Sequence, residues 1–295
     1  MVDSAAAPDW LAACRRIAAE VRSMLDTLPG TAQRAVVVGQ GEGGDNTLVI
    51  DKAAEDIVFA ELERRHRDGA RFVAVSEERG EVDFGGGPAC VVIDPIDGSM
   101  NAKRGLSPYA VSIAVADGPT MADVLFAFVC ELATGEEWTA TRGRGARLTH
   151  ADTPDRGGQA GGGVALALGA DVERRSRRGL LELVAVEAAH PHLVAAAGPA
   201  LTRLAHRTRT SGSIAWSLCQ LASGRLDGMV TLWGARCVDV AAAQLIARES
   251  GALVAFTAFE DPLAAPLELA SRSPVIAAHT AAGLAELATL PSSLE

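Results

Sequence analysis

The run from Val91 to Asn101, Val-Val-Ile-Asp-Pro-Ile-Asp-Gly-Ser-Met-Asn, constrains this chain more than any other stretch. Val91, Val92 and Ile93 form the short β-branched segment expected of a central strand. Pro95 cannot donate to a sheet ladder and biases Asp94 toward extended geometry, while Asp97-Gly98 signals a turn, so the strand is expected to stop here. Asp94 and Asp97 then leave the sheet edge together, three residues apart, where hard oxygen ligands can share Mg²⁺. Past the turn, the amides of Gly98 and Ser99 are free to face an anion if a helix opens there. The same residues also describe a strand ending in an Asx turn, with Asp97 or Ser99 as a helix cap.

Two further acids decide how that run is read. Glu77 follows the apolar segment Phe72 to Val75, and Asp239 sits in Arg236-Cys237-Val238-Asp239-Val240. Each lies where an apolar stretch meets a loop or a helix start. Singly, Glu77 reads as a solvated loop carboxylate and Asp239 as an N-cap. With Asp94 and Asp97 they form a constellation suited to phosphate ester hydrolysis, in which clustered cations neutralise the dianion and lower the pKa of a bound water. No Gly-x-Ser-x-Gly elbow is present and the six His are scattered, so no covalent nucleophile is indicated.

These segments resemble the inositol monophosphatase family, the lithium-sensitive Mg²⁺-dependent phosphomonoesterases that include fructose-1,6-bisphosphatases. The similarity runs through Gly43 to Asp56, Ser76-Glu77-Glu78, Asp94 to Ser99, Glu137 to Ala146, Ser211-Gly212-Ser213, Val238 to Ala242 and Glu249 to Ala252. It implies a layered αβαβα sandwich, an α+β half followed by an α/β half. It also implies that Glu77, Asp94 and the Ile96 carbonyl hold one Mg²⁺, that Asp94, Asp97 and Asp239 hold a second, and that a third leans on Glu77 and water. Ser99 would work with Asp51 to orient and deprotonate the attacking water. The Gly98 and Ser99 amides would cradle the phosphate, and the residues around Gly212 and Ser213 would face the alcohol. A homodimer and inhibition by Li⁺ are further expectations of the resemblance.

Ser99 stands where the family usually has Thr, Val238 where many members have Trp, and Ala243 where many have Gly. These departures, and the Gly-Gly-Asp-x-Thr-x-x-x-Asp spacing ending at Asp51, resemble the archaeal-type dual inositol monophosphatase/fructose-1,6-bisphosphatase branch. Inositol-1-phosphate and fructose-1,6-bisphosphate lead the expected substrates. Adenosine 3′,5′-bisphosphate, NADP and histidinol phosphate follow by the same chemistry, and a noncatalytic phosphate or metal sensor is the alternative of another class.

The 295 residues suffice for two medium domains with substantial cores. Aromatic content of 4% argues against a stacking surface for single-stranded nucleic acid, and a net charge of −10 opposes general nucleic-acid or membrane-surface binding. No long uninterrupted apolar window and no basic-then-apolar N-terminus is present, so a cytoplasmic location and a small phosphorylated metabolite as partner are expected. Five widely spaced cysteines without a Cys-x-x-Cys pair read as reduced, buried thiols. Cys237, two residues before Asp239, reads as a packed small hydrophobe, with oxidant sensing as the alternative.

Asp9 to Leu28 and Ile50 to His66 read as amphipathic helices, and Tyr109 to Ala116, Val124 to Glu131 and Glu136 to Thr141 as successive strands. The Gly-rich stretch Arg156 to Gly163 is the expected junction between domains 1–155 and 156–295. Beyond it, helices and strands alternate: a helix is expected over Asp171 to Glu187, with Arg174 to Arg178 on its solvated face. Further elements are expected over Ile214 to Ser223, Gly228 to Leu232, Val238 to Ser250, Ala252 to Phe256, Val275 to Ala278 and Ala281 to Ala288. His190-Pro191-His192 reads as a turn.

Gly39-Gln40-Gly41-Glu42-Gly43-Gly44 contains a literal Gly-x-Gly-x-x-Gly, but Asp45-Asn46-Thr47 intervenes before the next helix. A loop near the metal site fits better than a dinucleotide fold. Arg203, His206, Arg207 and Arg209 describe either a solvated basic edge strand or a grip on a second phosphate, for which Arg236 is another candidate.

Overall fold

The computed structural model describes residues 6–44, 46–150 and 163–293. An eight-stranded sheet has the spatial order β10 (Val164–Leu166), β9 (Ala146–His150), β8 (Glu136–Thr141), β7 (Val124–Glu131), β6 (Ala110–Ala116), β5 (Cys90–Asp97), β3 (Phe72–Ser76) and β4 (Gly80–Phe84). A five-stranded sheet follows the order β12 (Ala205–Arg209), β11 (Leu181–Glu187), β13 (Gly228–Thr231), β17 (Val275–Ala278) and β15 (Leu253–Phe256). Two-stranded ribbons pair β1 (Val37–Gln40) with β2 (Asn46–Leu48) and β14 (Ala235–Arg236) with β16 (Arg272–Ser273).

Helices α1 (Ala6–Asp26) and α3 (Val49–Arg67) cover one face of the large sheet, and α2 (Thr31–Arg34) packs on α4 (Ser99–Arg104). Helices α6 (Ile214–Ala222) and α7 (Cys237–Glu249) fill the space between the sheets, while α5 (Pro191–Leu204) and α8 (Ala281–Leu287) lie on the outer face of the small one. The result is five layers, αβαβα. Three apolar cores separate them: Phe59, Phe72 and Phe128 under α1 and α3, Trp138, Leu218 and Leu245 between the sheets, and Leu181, Val230 and Leu287 beneath α8. The central layer is buried on both sides, which explains why α7 reads as apolar nearly all round.

Several expectations change in three dimensions. The strand through Val91 does not stop at Ile93 but continues to Asp97. Asp94 pairs with Ser112 and Asp97 with Ala110, so three steps on β5 oppose two on β6. Pro95, which lacks a ladder donor, sits inside that bulge. The segment 171–187 is not a helix: a 3₁₀ turn at Ala170–Val172 leads to an exposed loop with Arg174 to Arg178, and then to β11. The apolar segment Leu183 to Val186, with β-branched Val184 and Val186, outweighs the helix-forming Arg and Glu before it. His190-Pro191 is no isolated turn but the N-cap and first residue of α5, where proline's missing N–H costs nothing. The expected junction at 156–162 and the boundary at 155 lie outside the described residues.

The Gly-x-Gly-x-x-Gly segment joins the antiparallel β1 and β2 and opens no helix after its glycines, which rules out the dinucleotide geometry. Cys14, Cys130, Cys219 and Cys237 are buried and Cys90 is half-buried, and none forms a disulfide. Burial pushes the Cys237 thiol up to about 12, with Asp239 adding to the rise, so this thiol is a packed hydrophobe rather than a reactive one. Among the described residues no helix is long and apolar enough to cross a membrane.

Candidate active site

The bulge in β5 sets the site. In an unbroken strand residues three apart face opposite sides of the sheet. The extra residue between Asp94 and Asp97 restores the parity and lets both carboxylates reach the same place. Asp239, in the first turn of α7, is brought to them by the packing of α7 across β5, β6 and β7. Carboxylate oxygens of Asp94, Asp97 and Asp239 lie within 4.8 Å of one another. The surrounding cavity, about 470 Å³, is lined by six carboxylates, Asp51, Glu77, Glu78, Asp94, Asp97 and Asp239, against two cations, Lys103 and Arg236.

Such an excess of buried negative charge is costly without counterions. Burial pushes Asp94 well above the ordinary carboxylate range, and Glu77, Asp97 and Asp239 add to the rise. Burial, with Asp239, raises Asp97 to about 7, although the Ser213 hydroxyl and the Ala215 amide oppose the shift. Burial raises Glu77 to about 8 despite Arg236. Asp51 rises to about 6, again chiefly by burial. One Asp51 oxygen accepts from the Leu48 amide at 3.0 Å, and the other, Oδ1, is buried without a partner. A recess of about 10 Å³, room for one ion or water, is enclosed by residues including Asp51, Glu77, Glu78, Asp94 and Ser99. Hard oxygen donors, an unpartnered carboxylate oxygen and a cation deficit fit divalent cations.

The expected ligands are not all equivalent. Asp94, Asp97 and Asp239 form the tight group, whereas Glu77 lines the same cavity with Oε1 on Nη2 of Arg236 at 2.6 Å. Arg236 Nε also lies 3.6 Å from Asp239, so this guanidinium ties the β3 end to the α7 start. The Ile96 carbonyl accepts from the Ser99 hydroxyl at 2.9 Å. Gly98 takes φ +95°, and a Cβ there would lie 3.1 Å from the carbonyl oxygens of Gly212 and Pro108. Only glycine suits so close an approach.

Gly212 lines the cavity, but Ser213 does not. Its fully buried hydroxyl donates to Asp97 at 2.6 Å and accepts from the Trp216 amide, capping α6. Asp97 also accepts from the Ala215 amide at 2.7 Å, so it is at once a member of the acidic group and a cap on a helix far along the chain. Arg207 and Arg209 stand exposed on the edge strand β12 and are not brought to the acidic cavity.

Three contributors were missed in the sequence. Lys103 lines the cavity from the last turn of α4. Glu78 lines it as well and takes a short hydrogen bond from Thr47. Glu187, fully buried at the end of β11, accepts from the Ser211 amide and hydroxyl, the Gly212 amide and the Ser217 hydroxyl, and so shapes the Ser211–Ser213 turn. Its signal was an acid closing an apolar strand segment, the same pattern that marks Asp94. The glycine loop after β1 meets the site too, with the Gly43 amide donating to the Glu77 carbonyl at 3.0 Å.

A five-layered sandwich with clustered carboxylates at a bulged strand end and a helix start defines a metal-dependent hydrolase class. Residues 9–290 match the model of the inositol monophosphatase family, and the chain belongs to that family of phosphoric monoester hydrolases. It is 29% identical to a fructose-1,6-bisphosphatase/inositol-1-monophosphatase of Methanothermobacter thermautotrophicus, over 83% of each chain. It is also 32% identical to the Nus factor SuhB of Vibrio cholerae, over 72% of each. Among solved structures, an inositol monophosphatase–fructose 1,6-bisphosphatase superimposes with a TM-score of 0.76 at 26% identity, covering 95% of this chain and 99% of the other.

Proposed function

We propose that this phosphatase uses Mg²⁺, in two to three sites, to release phosphate from a small sugar or polyol phosphate, with inositol-1-phosphate and fructose-1,6-bisphosphate as leading substrates. The observation that carries the reading is the convergence of Asp94, Asp97 and Asp239 in a cavity whose lining is short of positive charge. The names of the archaeal relatives support the substrate class. Asp94, Asp97 and Asp239 would hold one cation, and Asp94 with Glu77 and the Ile96 carbonyl another. When bound, the cations supply charge neutralisation for the phosphoryl group and a water of lowered pKa.

The remaining work falls to the chain. Asp51, raised to about 6 and with one oxygen unpartnered, accepts the proton of the attacking water. Ser99 orients that water, and the amides of Gly98 and Ser99, at the start of α4, face the phosphate oxygens. Gly212 and Arg236 border the space left for the alcohol, while Ser213 acts by holding Asp97 in place.

Phosphate release should be measured with and without Mg²⁺ across inositol-1-phosphate, fructose-1,6-bisphosphate, adenosine 3′,5′-bisphosphate, NADP and histidinol phosphate, with Asp94→Asn as the blank. Cation-dependent release from the first two is expected. A preference for a nucleotide would overturn the substrate class, and equal release by the blank would overturn the site.

A further inference from the structure

The two cations in the lining of the acidic cavity stand in different states. Arg236 is committed, with Nη2 on Glu77 at 2.6 Å and Nε 3.6 Å from Asp239. Lys103, half-buried in the last turn of α4, forms no ion pair or hydrogen bond among the described residues, although six carboxylates share the cavity with it. An ammonium carries three donors and no acceptor. Held off the carboxylates, those donors open onto the cavity itself.

The place of Lys103 on α4 sets what it can meet. Residues four apart share a helix face, and helical side chains lean back toward the N-terminus. Ser99 and Lys103 are four apart and both line the cavity, so the lysine stem projects back along the turn that opens at Gly98 and Ser99. Its charge is felt at Asp51 too: burial raises that carboxyl, and Lys103 is among the groups that oppose the rise. Gly212 and Arg236 border the space left for the alcohol. In an in-line displacement the attacking water and the departing alcohol lie on opposite sides of phosphorus. A cation on the side of Ser99 and Asp51 therefore reaches a phosphoryl oxygen and not the alcohol.

We propose that Lys103 is a catalytic residue that grips a phosphoryl oxygen of the substrate, beside the Gly98 and Ser99 amides, and holds the inorganic phosphate until it leaves. This rests on the phosphatase reading above and adds a charge to it: the carboxylate-bound cations neutralise the phosphoryl group from one side, and Lys103 does so from the α4 side. A compact point charge on a flexible stem suits the task, because it can follow the oxygen as the phosphoryl group flattens. No bond to Lys103 forms or breaks, and its proton stays on the ammonium.

Inorganic phosphate is the probe, titrated by calorimetry into the full chain at saturating Mg²⁺. Lys103→Met keeps the length of the stem and removes the charge. It is expected to weaken phosphate binding about tenfold or more, while Mg²⁺ binding measured without phosphate stays at least as tight, since a cation has left a cavity rich in carboxylates. Lys103→Arg should recover affinity to within about threefold of the unaltered chain. Arg104→Met, at the exposed neighbouring position, should leave it unchanged. Because the grip is on the phosphoryl group, kcat/KM in Lys103→Met should fall by the same factor for inositol-1-phosphate and fructose-1,6-bisphosphate. Undiminished phosphate affinity in Lys103→Met, weakened Mg²⁺ binding, an equal loss in Arg104→Met, or a loss confined to one substrate would each overturn the proposal and leave the phosphatase reading standing. If the unaltered chain with Mg²⁺ neither binds nor releases phosphate, that reading fails and the proposal with it.

Discussion

At the residue scale, the decisive fact is the concentration of carboxylates whose charged forms burial disfavours. Asp94→Asn keeps the shape of the side chain and removes a shared ligand. It is expected to lower kcat by more than about a hundredfold and to raise the Tm of the metal-free protein, since a buried like charge is gone. Phosphate release and a thermal melt check both, and an active variant would remove Asp94 from the site. Asp51→Asn should lower kcat about 10²–10⁴-fold with little change in KM if its role is proton transfer; steady-state kinetics separate the two parameters, and a pure KM effect would assign it to binding instead. Glu77 and Asp239 were expected in the site because each stands where an apolar run meets a loop or a helix start, Asp94 and Asp97 because they leave the end of an apolar strand, and Asp51 only through the family resemblance; all five line one cavity. Glu187 closes such a run as well, but the helix expected over 171–187 hid it. The hydroxyl of Ser213 belongs to Asp97, 116 residues away, and nothing local to either residue announces that bond.

At the scale of elements, α6 and α7 join the two sheets, and the site depends on where they sit. Leu245 is fully buried in the middle layer. Leu245→Ala is expected to cost about 2–5 kcal/mol, since a cavity there has apolar neighbours on both sides; urea unfolding measures it, and a cost below that range would mean that the layers can collapse around the gap. Ser213→Ala removes a helix cap and a hydrogen bond to a buried carboxylate together. A loss of about 1–3 kcal/mol is expected, with weaker Mg²⁺ binding by calorimetry because Asp97 is no longer held. The strands at Val124–Glu131 and Glu136–Thr141 and the helix at Val49–Arg67 follow the patterns of their residues closely. The strand at Cys90–Asp97 ran past its apparent stop because a bulge can hold a proline that a regular ladder cannot. Helix α5 was obscured by Gly198-Pro199 inside it, residues that weaken any helical signal.

At the scale of the whole molecule, the metal-free protein carries a pH dependence of definite sign. Asp97 at about 7 and Glu77 at about 8 lie above the ordinary carboxylate range. The native state therefore holds more protons than the unfolded chain between that ordinary range and about pH 8, and stability falls as pH rises through this window. Below the window both states are protonated and nothing is lost. The metal-free Tm is expected to be higher at pH 5 than at pH 8, and Mg²⁺ to raise it more at pH 8, where fewer protons compete for the carboxylates. Calorimetry at the two pH values checks this, and a metal-free Tm that climbs with pH would contradict the burial of these groups.

The residues alone determined the hydrolase family and the class of fold: carboxylates at strand and helix ends in the family's order, and enough β-branched and helical periodicity for a layered α/β fold. Periodicity is a local property and survives being read one window at a time. Only the tertiary structure decided which side of the sheet Asp94 and Asp97 face, that Arg236 rests on Glu77, that Ser213 supports rather than lines the site, and that Arg209 stays outside the acidic cavity. These depend on strand register and on contacts between residues more than a hundred positions apart, and no spacing along the chain encodes them.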